Sequence, residues 1–267
     1  MKKIIILTTI LLTLSSFSSP IETHSMKSVF DGVKAQLKKH SAHELLLVMD
    51  IDNTLLTSNH DLNSYGWTRW QVNLINERAA EAITHNFEEF YKIQNILYAL
   101  GKMHLPEEII ASEIKLLQKQ GVTIIALTSR GPKMRSSTER ELTANNINLQ
   151  NSGFSGIPGF FTLKYGKGRD VSFQHGVFMT AGQHKGLMLK GLLERLDRSF
   201  KSIVFVDDTT KHTLHMSETF KNMGDDLLSF RYGQMDARVE KFLKGDKSRV
   251  TQQWLKLKNI WSEIFNW

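Results

Sequence analysis

Two carboxylates and a threonine, Asp50, Asp52 and Thr54, stand at D-x-D-x-T spacing directly after the apolar run Leu45-Leu46-Leu47-Val48-Met49. Five large apolar residues in a row predict a strand buried on both faces, as in a parallel sheet covered by helices. The chain leaves such a strand at its carboxyl end, in the crevice where open α/β sheets bind ligands. Two acids side by side there, with no nearby base, are costly unless a metal ion or a shared proton compensates them. That argues for chemistry. Two further buried strands end in polar groups: Val122-Thr123-Ile124-Ile125-Ala126-Leu127 runs into Thr128-Ser129-Arg130-Gly131, and Ile203-Val204-Phe205-Val206 into Asp207-Asp208-Thr209-Thr210.

The elements between these strands are expected to be mostly helical. A short amphipathic helix over 31–39 leads into the first strand. Apolar residues at near-helical spacing, from Trp67 and Trp70 through Ile83 to Phe90 and Ile93, predict a helical insertion over 65–101. A further helix is expected from Pro106, which suits a first helical position, to Gly121, which stops it. Residues 133–144 read as helical, and 151–167 as loops and short strands. Gln174-His175-Gly176 reads as the turn of a hairpin. A helix follows from Lys185, with Leu189, Leu192, Leu193 and Leu196 on one face. A last strand near 227–230 precedes one or two C-terminal helices. Strand–helix alternation of this kind implies right-handed crossovers and a parallel sheet, so the polar ends of three strands would fall at one edge.

Composition sets the outer bounds. The chain has 267 residues, 41% hydrophobic and 23% charged, enough for one large domain with an insertion. Met1-Lys2-Lys3, the apolar stretch 4–14 and Ser15-Ser16-Phe17-Ser18-Ser19 predict a cleaved signal peptide over 1–19, too short to span a bilayer. A periplasmic or secreted protein with no membrane anchor after cleavage is the expectation. The absence of cysteine excludes disulfides and a lipidated cysteine. Losing Lys2 and Lys3 with the leader lowers the formal charge from +7 to +5. Much of the remainder sits in the C-terminal segment, at Lys241, Lys244, Lys247, Arg249, Lys256 and Lys258, and reads as a solvated helix face; no nucleic-acid motif accompanies it.

In their order along the chain these blocks resemble the four motifs of the haloacid-dehalogenase-like (HAD) phosphohydrolase superfamily, and in detail an uncharacterised secreted branch of it from Gram-negative bacteria. Asp50-Ile51-Asp52-Asn53-Thr54 matches the first motif, Thr128 the second, Lys185 the third and Asp207-Asp208 the fourth. The resemblance covers 45–230. It implies an α/β fold with a Rossmann-like three-layer core, a parallel sheet and a mostly helical cap inserted between motifs I and II, about 57–105, all within one domain over 20–267. It further implies a Mg2+-dependent phosphatase acting on a small phosphate monoester through an aspartyl-phosphate. Asp50 would be the nucleophile and Asp52 the acid–base group, the second acid that phosphatases of the superfamily usually carry. Thr128 and Lys185 would bind the phosphoryl group; Lys190, about 140° further round the helix, competes with Lys185 for that role. The metal ligands would be Asp50, Asp52 through its backbone carbonyl, and Asp208 with Asp207 beside it. Lys211 and His212 stand where the superfamily often has a further acid. Arg130 is expected either to contact substrate or to pair with an acid. His212 and His215 read as helix-surface residues outside the metal site.

Two rivals remain at this point. A binding or host-interaction protein on the same scaffold would have weak or lost hydrolysis. A D-x-D sugar-nucleotide transferase would bind Mn2+ and assign no role to Lys185.

Overall fold

A computed structural model describes residues 19–150, 154 and 156–265. The expected leader, apart from Ser19, lies outside the described residues, as does part of the 151–167 segment.

The centre is a seven-stranded sheet in the order β1-β9-β8-β2-β5-β7-β6. Its strands are β1 (Ile21–Thr23), β2 (Leu45–Met49), β5 (Thr123–Thr128), β6 (Ser172–Gln174), β7 (Val177–Met179), β8 (Ser202–Asp207) and β9 (Leu227–Tyr232). All neighbours pair in parallel except β6 with β7, which form the expected hairpin. Its turn residues, His175 and Gly176, both have positive φ, 50° and 71°, which suits a tight primed turn. The architecture is therefore α/β with a mostly parallel sheet between helical layers.

Every residue of β2 is buried, and the strand alternates between two cores. Leu45, Leu47 and Met49 pack on one face with α1 (Met26–Gln36) and α4 (Ile109–Lys119). Leu46 and Val48 pack on the other with α6 (Lys185–Arg195) and Met216 of α7 (Thr210–Thr219). A leucine truncated in such a site costs about 2–5 kcal/mol, so the strand that carries Asp50 is rigidly seated.

Between β2 and α4 lies the insertion: α2 (Tyr65–Glu77) and α3 (Phe87–Leu100), with β3 (Thr57–Ser58) and β4 (Met103–His104) pairing antiparallel at its base. The one long helical pattern is thus two helices. Arg78, in the left-handed region at φ 54°, ends the first, and Asn86 caps the second by accepting from the amides of Glu88 and Glu89. Trp67, Ile75, Phe90, Ile93 and Leu97 form a third core with Val250 and Trp254 of α9 (Ser248–Phe265). Trp67 and Phe90 are insertion core, as their spacing predicts, while Phe87 is exposed. The remaining helices are α5 (Arg135–Ala144), preceded by a 3-10 turn at Pro132–Met134, and α8 (Asp236–Lys244).

Two helix starts differ from expectation. The first helix begins at Met26 rather than near residue 31, and its buried Met26, Val29, Phe30 and Val33 form the stripe that seats it. The helix expected from Pro106 begins at Ile109. Glu107 is committed elsewhere, accepting from the Met26 amide at 2.6 Å and the Tyr232 hydroxyl at 2.5 Å.

Candidate active site

The carboxyl ends of β2, β5 and β8 lie side by side, as the parallel register requires. Met49 pairs with Val206 and with Ala126, and the Asp50 amide extends the ladder by donating to Val206 O at 2.9 Å. Asp50 and Asp207 are consequently neighbours across two adjacent strand ends.

Lys185 joins them. Its Nζ donates to Asp50 Oδ1 and, at 2.6 Å, to Asp207 Oδ2, with the lysine wholly buried. It is the first residue of α6, whose N-cap is His184: the imidazole Nδ1 accepts from the Leu187 amide at 3.2 Å. The helix dipole adds partial positive charge at this end. Helix α6 can bring Lys185 so close only because Gly186 has no side chain: a Cβ there would lie 2.3 Å from the His215 carbonyl oxygen. Lys190 points away, exposed, with its ammonium 5.4 Å from the Tyr165 ring centroid.

Asp207 is held on every side. Besides Lys185 it accepts from the Thr209 amide at 2.9 Å and contacts His212 Nδ1 at 3.0 Å. Asp208 has a lighter set, Thr209 Oγ1 donating at 3.0 Å and Asn53 Nδ2 at 3.3 Å. Asn53 adopts φ 60°, a left-handed conformation that asparagine tolerates, and its side-chain Oδ1 accepts from Thr57 Oγ1 at 3.1 Å.

The electrostatics follow from burial. Removal from water pushes Asp50 up to about 7, with Asp207 and Asp52 adding to the rise and Lys185 opposing it. Burial also raises Asp208 well above the usual carboxylate range, and the charges of Asp207 and Asp50 add to it. Burial works against Asp207 too, but Lys185 and His212 outweigh it and hold that carboxyl low. Lys185 stays above the ordinary lysine value because Asp207 and Asp50 overcome its desolvation. Three acids share one lysine, so the pocket carries an excess of negative charge that a cation would relieve. Asp50, Asp207 and Asp208 each offer a carboxylate oxygen, all within 4.8 Å of one another, and this buried cluster could hold a metal ion. The donor set is all oxygen, the kind that hard cations take.

Asp52 faces the other way. Arg130 meets it in a bidentate pair, Nε to Oδ2 at 2.9 Å and Nη2 to Oδ1 at 2.7 Å. Of the two expectations for Arg130, pairing with an acid is the one observed. Thr128 ends β5, buried; its hydroxyl accepts from the Arg130 amide at 3.1 Å, and its carbonyl from the Thr180 amide and hydroxyl at 3.0 and 2.8 Å.

Asp50, Asp207, Asp208 and Lys185 thus form one contact cluster, with Asp52 and Thr128 on flanking positions of the same sheet edge. Three participants carry no sequence signal of their own: Asn53 on Asp208, Tyr98 on Asp52, and Tyr65, whose hydroxyl lies 3.2 Å from Thr209 Oγ1. His212 had one, its place five residues after Asp207 in the first turn of a strand-end helix.

Fold and site together define an α/β protein with a buried, lysine-bridged cluster of acids at the carboxyl edge of a parallel sheet. Residues 22–265 match a family described as a protein of unknown function (DUF2608), and the chain belongs to that family. No curated protein matches the sequence. Among the described residues no helix is long and apolar enough to cross a membrane.

Proposed function

We propose that this protein is an exported, Mg2+-dependent phosphatase of the HAD type, hydrolysing small phosphate monoesters through an aspartyl-phosphate. The observation that carries the reading is Lys185 bridging Asp50 and Asp207 at two adjacent strand ends, with Asp208 alongside. Every residue type that the resemblance requires stands at that one edge.

In this reading Asp50 Oδ attacks phosphorus as the bond to the leaving oxygen breaks, and Asp52 supplies the proton that the leaving oxygen takes up. Asp52 then accepts a proton from water as that water attacks phosphorus and releases Asp50. Splitting one displacement into two lowers each barrier, and acid–base help of this kind is typically worth about 10²–10⁴-fold. Lys185 and the start of α6 offset the charge of the phosphoryl oxygens, and the Thr128 hydroxyl would donate to one of them. The three carboxylates fit Mg2+ by their donor type and by their excess of acid over base. Asp50, Asp208 and the Asp52 carbonyl would hold the ion, with Asp207 kept aside by Lys185 and His212. When bound, it supplies the counter-charge that lets a phosphate dianion approach a carboxylate.

Two observations favour a second reading, a binding protein with weak hydrolysis: the Asp50 side chain is only 7% exposed, and the insertion lies against Asp52. A phosphate-release screen over many monoesters with Mg2+, run beside Asp50→Asn and Asp52→Asn, separates the two. Mg2+-dependent release lost in Asp50→Asn supports the phosphatase; no release from any ester supports the binding protein.

A further inference from the structure

The contacts of Asp52 join the sheet edge to the insertion. Tyr98, in the last turn of α3, donates its hydroxyl to Asp52 Oδ1 at 3.2 Å. Its ring covers the guanidinium that grips the same carboxylate, with Arg130 Cζ 4.2 Å from the ring centroid. Arg130 is fixed from behind, Nη1 donating to Thr138 Oγ1 of α5 at 2.8 Å. Asp52 is therefore clamped between a core arginine and an insertion tyrosine, with both carboxylate oxygens engaged.

Tyr98 sits at an anchored helix end. Helix ends leave carbonyls without intrahelical partners, and here Arg140 of α5 takes them. Its guanidinium donates to the carbonyls of Ala99 at 2.6 Å, Gly101 at 2.8 Å and Tyr98 at 3.0 Å. Glu141 beside it accepts from the Met103 amide at 2.7 Å. The other helix of the insertion is tied just as firmly. Gly66 of α2 lies so close to α8 that a Cβ would sit 3.1 Å from the Phe242 ring, and Trp67 shares a core with Trp254 of α9.

We infer that Tyr98 and Arg130 are positioning residues for Asp52, and that the helical insertion is a fixed wall of the site rather than a lid that opens over it. The role given to Asp52 rests on the phosphatase reading; the anchorage of the insertion does not. A carboxylate that must serve first the leaving oxygen and then a water gains from being held in one orientation, since misplacement by about 1 Å can cost ~100-fold. The arginine fork fixes the carboxylate plane; Arg130 Nη2 and the Tyr98 hydroxyl together fill Oδ1, so the transferred proton is carried on Oδ2, which has Arg130 Nε on one side and a lone pair to spare.

Two measurements test the two halves. Tyr98→Phe removes one donor, and Arg130→Lys keeps a cation but loses the fork. Both variants are expected to lower kcat with KM changed less than about twofold. The loss should grow with the difficulty of the leaving group: roughly 10-fold or more for alkyl phosphates and about twofold for p-nitrophenyl phosphate, whose aryloxide needs little proton help. An equal loss on every ester would mark a merely structural role and overturn the assignment. Hydrogen exchange tests the wall in the full-length protein. Amides of residues 93–103 should exchange within about twofold of the same rate with and without Mg2+ plus beryllium fluoride, while Arg140→Gln speeds them by ~10-fold or more. Strong protection of that segment on adding the ligand would show a closing lid and overturn the inference. Wild-type protein that hydrolyses no ester would defeat the phosphatase reading, and the roles of Tyr98 and Arg130 with it. The exchange experiment would still decide the anchorage.

Discussion

Asp207 and Asp208 follow one another at the end of β8 and face opposite electrostatics. Burial raises both, yet Lys185 and His212 pull Asp207 below the usual carboxylate range, while Asp208, pressed by Asp207 and Asp50, rises well above it. Asp207 thus favours the charged form that holds Lys185 in place, while its neighbour favours the protonated form until a cation offsets the crowding. The two positions are not interchangeable.

Metal binding should therefore release protons. Asp50, raised from 3.8 to about 7, and Asp208 bind a proton more tightly in the folded than in the unfolded chain. The contribution of Asp50 to metal-free stability is full below about pH 4 and is lost as the pH rises through about 7, and that of Asp208 runs in the same direction. Asp207, held low, runs the other way and loses its contribution only on acidification below the ordinary carboxylate range. Calorimetry in buffers of differing ionisation heat should register proton release on Mg2+ binding at about pH 6.5, and the release should fall as the pH is raised through about 7, with affinity rising across that interval. Pure electrostatic attraction without proton release would contradict the raised values.

Lys185 should be the most costly residue of the site to remove. A buried charge left without its partner is destabilising by about 3–5 kcal/mol. Lys185→Met is expected to lower the Tm of the metal-free protein by roughly 10 °C. Asp208→Asn, which removes one of three crowded acids, should leave it unchanged or raise it. A Lys185→Met protein melting with wild type would mean that the lysine does not bridge the two strand ends.

The approach of α6 to α7 should be sensitive to a single methyl group. A Cβ at Gly186 would meet both the His215 carbonyl oxygen and Thr219 Oγ1 at 2.3 Å. Gly186→Ala is expected to cost ~1–3 kcal/mol by overpacking. It should also draw Lys185 back from Asp207. Urea unfolding should show a lower midpoint at unchanged slope; an unshifted midpoint would contradict the close contact.

Much of this site was legible in the sequence because strand ends are legible. The buried strands β2, β5 and β8 are five or six residues long with four or five consecutive apolar residues each, and parallel pairing brings their carboxyl ends to one edge, so Asp50, Thr128 and Asp207-Asp208 had to converge. Lys185 was legible because the turn before it ends in a capped helix. Tyr98 was not: no spacing rule relates residue 98 to residue 52, and only the packing of α3 on α5 brings them together. Asn53 has a side chain committed to Asp208, a contact that depends on its left-handed backbone and not on residue type alone. Strand β1 escaped notice because Ile-Glu-Thr is three residues long, pairs on one side only and carries no apolar run.

In the phosphatase reading an oxygen of Asp50 attacks phosphorus and carries the phosphoryl group. Beryllium fluoride mimics a phosphoryl group on a carboxylate, and fluorine NMR of the full-length protein reads its attachment directly. Bound fluorine resonances are expected only with Mg2+ and should vanish in Asp50→Asn. Resonances that persist in that variant, or that never appear in the wild-type protein with Mg2+, would contradict it.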